Sequence, residues 1–489
     1  YSGAKEQWPS ELIYNTIDEA VEKITEQTYD SESYRRFIED NYSLEEQIDN
    51  MEAILNICYS KKDASSKKSL KTDEQANNNK NTKQTTNEKR QTSSFSENNS
   101  INTKYEGIYI AVPVESNKYS LIACPVSTPV KKNKLVFCNL HGNGYGGNPK
   151  YIAEEIIAQG LNYDLVWLLR KDLLEKCHFP PSIRIVQYGT LEALYELVSA
   201  KIWINNVNGD FFYIPKRENQ FYIQTWHGIP LKKIGADTYS DPKEYIKIAY
   251  KENRMIDCMI SNSTYLTHKY KNALAYDGKI IEIGYPRNDV LVSFDKREKA
   301  SKKVKKYYEI DNETKVLMYA PTFRDNVNMD IYNIDFHFLL KILENKFSSQ
   351  WKILFRLHPK WAHLSNFLNY GDNVINVSDY EDPNELMAAC NALITDYSSV
   401  MFDFSIMKRP VFLYVPDLRN YKNERELYFD INELPYDAAF NNDDLFSKIN
   451  NFDQQVYEDK LISFFNRIGL CENGKASENV VEIIKKFVS

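Results

Sequence analysis

No stretch of about 18 apolar residues occurs anywhere in the 489 residues, so neither a membrane-spanning helix nor a secretory leader is expected. Cysteine is sparse. The 7 present (Cys58, Cys124, Cys138, Cys177, Cys258, Cys390 and Cys471) include no C-x-x-C pair, which argues against a zinc ribbon or a disulfide framework. They read as reduced, mostly buried thiols in a cytoplasmic protein. H-E-x-x-H, the Walker A loop, G-x-S-x-G and a paired Asp-x-Asp at a strand end are all missing, so no cofactor and no obligatory metal is expected. Positive charge is not in excess either: Lys+Arg 61 against Asp+Glu 68 gives a net of -7, which makes no case for a nucleic-acid partner. The first residue is Tyr1 rather than Met, which leaves room for an upstream segment.

What is present is an ordinary globular balance, 43% hydrophobic and 26% charged, at a length that calls for two domains plus an accessory segment. Residues 1–60 read as a helical accessory segment: Ile13, Ile17, Ala20, Val21 and Ile24 recur at helical spacing, as do Leu44, Ile48, Met51, Leu55 and Cys58. Residues 61–104 have almost nothing to bury and carry ten Lys/Arg against five Asp/Glu, the pattern of a low-complexity basic linker. "YEGIYIAVPV" and "KYSLIACPVS", separated by "ESN", predict a hairpin. Short apolar runs then alternate with helix-like stretches: "KLVFCNL", "YDLVWLL", "RIVQYG", "KIWINNV", "FYIQTW", "CMISNS" and "KIIEIGY", and later "KVLMYAPT", "WKILFRLHP", "NVINVSD", "NALITDYSS" and "PVFLYVPD". This is βαβ punctuation given twice, an α/β chain of two doubly wound, Rossmann-like domains at 105–295 and 296–489. Ligands in such sheets sit beyond the carboxyl ends of the strands, so the cleft between the domains is where a site is expected.

The strand ends carry unusual polar residues. His227 follows "FYIQTW" at a sheet rim, and Gly228 allows close backbone approach. A neutral imidazole there can take a hydroxyl proton, although a histidine merely hydrogen-bonded at a strand end fits the same position. Arg356, His358 and Lys360 alternate after "WKILF" and project to one side, a set suited to phosphate oxygens. "LITDYSSVMFDF" gives Asp396, then Ser398 and Ser399 at a helix start, where free N–H groups favour an anion, and Asp403 one turn on; plain capping explains the serines equally well. "YAPTFRD" offers Thr322 and Arg324 to a diphosphate, and "GYPRND" places Arg287 after the last strand of the first half. "HGNGYGG" follows a strand, but its glycines precede a late helix start and no acidic ribose ligand follows, which favours a glycine loop facing an acceptor cleft over a dinucleotide site. Together these ends point to a nucleotide-diphosphate substrate, its charge met by Arg, His and a helix terminus.

In order, "INN" (204–206), "QTWHGIPLKKIG", "GYPRND", "YAPTFRD", "RLHP", "TDYSSVMFDF", "KRPVFLYVPD" and "ENGKAS" (472–477) resemble the CDP-glycerol glycerophosphotransferase family, the teichoic acid polymerases, over roughly residues 130–489. The resemblance implies the GT-B fold, with an acceptor domain at 105–295 and a CDP-donor domain at 296–489. It also implies transfer of a polyol phosphate from a CDP-activated donor to a polymer hydroxyl with release of CMP. His227 then aligns with the family's catalytic base and His358 with its second essential histidine. Trp226, Gly228, Ile229, Pro230, Arg287, Pro321, Thr322, Arg324, Arg356, Ser398, Ser399 and Asp403 align with residues that hold the donor; Ile229 departs from a frequent threonine.

The implied partners are CDP-glycerol or CDP-ribitol and a polymer or lipid-linked acceptor of a teichoic acid or capsule. Peripheral contact with the inner face of the membrane, an upstream transferase domain and a homo-oligomer are further expectations. A GT-B glycosyltransferase and a non-catalytic scaffold of a polymer assembly complex are the rival functions. Retention of both His227 and His358 speaks against the scaffold.

Overall fold

A computed structural model of the chain describes residues 108–115, 118–124, 128–211, 214, 216–238, 243–322, 334–357 and 371–488. The expected helical segment 1–60 and basic linker 61–104, and with them Arg324, His358 and Lys360, lie outside the described residues. The predicted hairpin is β1 (Ile108–Glu115) paired antiparallel with β2 (Lys118–Cys124).

Two parallel sheets follow. The first contains β3 (Lys131–Cys138), β4 (Asp164–Leu169), β5 (Ile183–Gln187), β6 (Ala200–Asn205), β7 (Phe221–Gln224), β8 (Cys258–Ser261) and β9 (Ile280–Glu282), in the order β5-β4-β3-β6-β7-β8-β9. The second contains β10 (Lys315–Ala320), β11 (Trp351–Phe355), β12 (Val374–Asn376), β13 (Ala392–Thr395), β14 (Val411–Tyr414) and β15 (Asp437–Ala439), in the order β12-β11-β10-β13-β14-β15. Strands are covered on both faces, which is why they read as unbroken apolar runs: Leu135, Val136, Phe137 and Cys138 are all fully buried. Strand β15, with only "DAA" to mark it, has no such run and leaves no strand signal in the sequence.

In each sheet the chain begins in the middle, winds to one edge and returns to the other side. The loops after β3 and β6, and again those after β10 and β13, therefore splay apart at a topological switch point, where doubly wound sheets bind ligands. This is the GT-B arrangement expected from the motifs.

The two cores are stitched together. Beyond β7 the chain crosses over, burying Ile229 and Leu231 in the second core, while Leu231 O accepts from Tyr428 N at 2.8 Å and Lys233 N donates to Glu426 O at 2.9 Å. On helix α1 (Gly147–Ala158), Lys150 reaches across to Asp382 at 2.5 Å and Glu385 at 3.1 Å. Helix α2 (Val400–Ser405) follows β13 in the second domain. Helix α3 (Ala476–Val488) returns to the first core, where it buries Val480, Val481 and Ile484. Its start is capped from a distance: the Asp289 carboxylate accepts from Ala476 N at 2.9 Å and Ser477 N at 2.8 Å. A single cut at 295/296 leaves out this return. Among the described residues no helix is long and apolar enough to cross a membrane.

Candidate active site

The site is built outward from the turn that ends β7. Thr225 N still bonds Asn205 O in the ladder direction at 2.8 Å, after which Trp226 adopts φ +54°, a left-handed conformation that costs an ordinary residue about 1–2 kcal/mol. The turn is held from several sides. Gln224 Oε1 accepts from Trp226 N at 3.0 Å, and Asn148 Nδ2, fully buried on α1, donates to Thr225 O at 3.2 Å and Trp226 O at 2.9 Å. Strain maintained by so many contacts is typical of a functional turn. Trp226 is 4% exposed and stacks on His227 with ring centroids 4.3 Å apart, so it forms a wall behind the imidazole.

The turn fixes the chemistry of His227. Its Nδ1 lies 2.7 Å from Asn206 O, and since a carbonyl can only accept, Nδ1 carries the proton and Nε2 presents its lone pair. Burial pushes the imidazole down to about 4; the bond to Asn206 opposes this, and the positive charges of Arg287 and His141 add to it. His227 is therefore a neutral acceptor, with no partner at Nε2 among the described residues.

Gly228 is required by what stands against it. At φ +139°, a β-carbon there would sit 2.9 Å from Arg287 Nη2 and 3.9 Å from Ser399 Oγ. His227 and Gly228 from the first sheet, Arg287 from the loop after β9, and Ser399 at the start of α2 thus converge from both domains.

Arg287 is fixed along its whole length. Its N–H donates to Asn148 Oδ1 at 3.1 Å, its carbonyl accepts from Asn384 Nδ2 at 3.0 Å, and Nη2 pairs with Asp403 Oδ2 at 2.5 Å. Among the described residues its buried Nε has no hydrogen-bond partner. Asn288 Nδ2 ties Asp403 Oδ1 (3.2 Å) to Glu472 Oε1 (2.8 Å), and Glu472 also accepts from Asn262 Nδ2 and Tyr285 N. Burial raises the Asp403 carboxyl against the pull of Arg287 and Asn288. Asp403 is thus held against Arg287 and Asn288.

At the switch point of the second sheet, Asp396 Oδ1 accepts from Thr322 N at 2.8 Å and Tyr397 N at 2.6 Å, binding the loops after β10 and β13 together. Pro321 is buried beside them, and Ser398 and Ser399 are half-buried. Ser399 makes no side-chain cap bond, and Ser398 Oγ accepts only a 3.4 Å contact from Val400 N, so capping is a poor account of these serines. Arg356 is half-buried, and Nη1 already donates to Val377 O at 2.9 Å and Tyr380 O at 2.8 Å; burial lowers its pKa. These bonds aim a guanidinium whose Nε and Nη2 have no partner among the described residues.

Ile229 and Pro230 are placed elsewhere. Ile229 is 1% exposed in the second core and Pro230 is buried next to it, so any contact with a donor from these positions is made by backbone. Lys232 Nζ lies 5.8 Å from the centre of the Tyr421 ring, and Lys233 pairs with Glu426 at 2.9 Å. Conversely, Asn148, Asn206 and Glu472 hold the site yet had no assigned role; the only signals were membership of Asn206 in "INN" and Glu472 in "ENGKAS". Among the described residues no group of three or more His, Cys, Asp or Glu could hold a metal ion.

The family described as CDP-Glycerol:Poly(glycerophosphate) glycerophosphotransferase matches residues 120–486. The teichoic acid poly(glycerol phosphate) polymerase of Staphylococcus epidermidis is 34% identical over 73% of this chain, which spans about half (51%) of that relative's length. The teichoic acid glycerol-phosphate transferase of Staphylococcus aureus is 32% identical over 73% of this chain and 93% of its own length. Among solved structures, the wall teichoic acid polymerase TagF superposes with a TM-score of 0.66 at 34% identity, covering 73% of this chain and 90% of that one; one of its histidine variants has been soaked with CDPG.

Proposed function

Because the chain belongs to the CDP-glycerol:poly(glycerophosphate) glycerophosphotransferase family, we propose that it moves glycerol phosphate from CDP-glycerol to a hydroxyl of a teichoic-acid-like polymer, releasing CMP. The observation that carries this reading is His227, a neutral imidazole with Nε2 open, next to Gly228, against which the Arg287 guanidinium and the Ser399 hydroxyl stand, at the meeting of two doubly wound domains.

The acceptor oxygen attacks the phosphorus that bears glycerol. Its proton passes to His227 Nε2, and the bond from that phosphorus to the bridging oxygen breaks, its electron pair leaving with CMP. Arg287, Arg356, Ser398, Ser399 and the Thr322 loop surround the diphosphate, with Asp403 orienting Arg287. The reading adds His358 and Arg324, whose "RLHP" and "YAPTFRD" motifs resemble those of the family. Most of the catalysis is then positioning and charge stabilisation. The low pKa of His227 belongs to the protein without substrate: a diphosphate beside Arg287 cancels one of the charges that depress it and shifts the imidazole toward the range of an effective base.

The reading assigns acceptor recognition to residues 105–295 and donor recognition to 296–489. It brings the enzyme to a membrane-borne acceptor through the basic segment 61–104, which is suited to an anionic surface. The test is CMP release from CDP-glycerol and, separately, CDP-ribitol with a glycerol-phosphate-ended acceptor. His227→Ala should lower turnover by about 100- to 10,000-fold while CDP-glycerol binding stays measurable. Near-normal turnover in that variant refutes the assignment of the base, and release from CDP-ribitol alone refutes the donor.

A further inference from the structure

A second histidine occupies the other switch point, and the catalytic scheme does not use it. His141 lies in the loop after β3, where Leu140 (φ +42°) and His141 (φ +60°) both take left-handed backbone. Two such residues in succession need support. Leu140 N donates to Asn206 Oδ1 at 2.9 Å, Asn139 Nδ2 to Asn143 O at 2.8 Å, and Arg170 N to Gly142 O at 3.0 Å. Gly147 closes the loop so tightly that a β-carbon there would meet the Asn206 amide at 2.6 Å and Asn139 Oδ1 at 2.7 Å.

The loop delivers His141 Nδ1 to Asp210 Oδ1 at 2.7 Å. Asp210 is fully buried and also accepts from Tyr188 OH at 2.8 Å, Asn205 Nδ2 at 3.0 Å and the Cys138 thiol at 3.4 Å. Burial pushes the Asp210 carboxyl up, but the charge of His141 and these donors outweigh it and leave the group below its ordinary value. Burial likewise opposes a charge on His141, and the charge of Asp210 and its hydrogen bond outweigh it and raise the imidazole. Buried Glu252, which accepts from Tyr222 OH and Gly209 N, adds to that effect. The two histidines are thus driven in opposite directions, His227 toward neutral and His141 toward cationic. Both are anchored on Asn206, whose carbonyl accepts from His227 and whose side chain holds the backbone next to His141. The His141 side chain is 27% exposed, and its Nε2 has no partner among the described residues.

We propose that the His141–Asp210 pair is a phosphate subsite for the acceptor: the outward Nε2–H of His141 takes the phosphodiester of the acceptor's terminal unit and so brings its end hydroxyl to His227. The proposal rests on the transferase reading and adds to it what the first domain recognises. One switch point holds the donor's phosphates and the other the phosphate of the growing chain. The outward N–H of a charged imidazole gives a phosphate oxygen a charge-assisted hydrogen bond, and a glycerol-phosphate chain carries such an oxygen a few bonds from its attacking hydroxyl.

The test compares two synthetic lipid acceptors, one ending in glycerol phosphate and one in an uncharged glycerol ether, with wild type and His141→Gln. For the phosphate-ended acceptor, His141→Gln should lower kcat/KM about 10-fold or more through KM, and the preference over the uncharged acceptor should shrink by the same factor. Equal losses on both acceptors, a loss confined to kcat, or an intact preference each overturn the proposal. An NMR titration with glycerol 3-phosphate reads the subsite without turnover: the His141 ring signals should shift in the wild type, with that response missing in His141→Gln, and wild-type signals that do not move overturn it. Failure of the wild type to release CMP with either acceptor refutes the transferase reading instead, and the titration still decides whether the subsite exists.

Discussion

Replacing Asp403 by asparagine removes one charge and little else, which makes it a sharp probe of how the two domains share Arg287. The carboxylate pairs with Arg287 Nη2 at 2.5 Å and accepts from Asn288 Nδ2 at 3.2 Å, with side-chain exposures of 14% for Arg287 and 6% for Asp403. Breaking a buried pair by removing one partner costs about 3–5 kcal/mol, because the surviving charge is stranded. Arg287 keeps some contact with water and the amide oxygen of the variant still accepts one bond, so about 3 kcal/mol is expected, or roughly 6–12 °C in the melting temperature of a unit this size. The functional consequence has the opposite sign. If Arg287 faces the donor diphosphate, CDP-glycerol supplies the missing negative charge, and the stabilisation it gives should be larger in Asp403→Asn than in the wild type. Melting each protein by differential scanning fluorimetry with and without CDP-glycerol measures both effects. A ligand-induced shift equal to or smaller than that of the wild type refutes the placement of Arg287 against the donor.

Two other outcomes follow from the same turn. Asn148→Ala frees the carbonyls of Thr225 and Trp226 and the N–H of Arg287, so a loss of about 1–3 kcal/mol is expected in chemical denaturation, with a fall in kcat for CMP release that exceeds any change in the KM for CDP-glycerol. His227 is pushed from 6.5 down to about 4 by burial, so below pH 6.5 the unfolded chain takes up a proton that the folded one refuses. Stability is fully present above that pH and falls by up to about 3 kcal/mol as pH drops toward 4; His227→Gln should remove this increment from paired denaturation curves at pH 7 and pH 4.5.

The sequence carried the frame of this molecule well because both sheets are buried on two faces: a strand such as Leu135–Cys138 has to be apolar throughout, and the residue after it has to be polar if it lines a rim. That is why rim residues such as His227, Arg287, Ser399 and Thr322 stand out in the sequence. What could not be read is set by contacts between distant residues. Asn148 meets Trp226 from 78 positions away, and Glu472 meets Asn288 from 184 away; an asparagine at a helix start or a glutamate before an Asn-Gly turn looks like ordinary surface chemistry until those pairs close. The pairing of Asp403 with Arg287 is likewise a contact between residues far apart in the chain. Ile229 sat within the most informative motif and is there to fill the second core. The Asp210 carboxylate gave no sign of itself, since nothing local distinguishes it from a loop aspartate.

The return of α3 bears on how the protein is made. Until Val480, Val481 and Ile484 emerge from the ribosome, the first core lacks part of its packing and Asp289 lacks the two N–H groups it caps. At about 5–20 residues per second, the first core waits about 10–40 s for these residues while the second domain is synthesised. Its maturation is thereby timed by translation of the half that follows, and a chain arrested partway has two unfinished domains instead of one finished one.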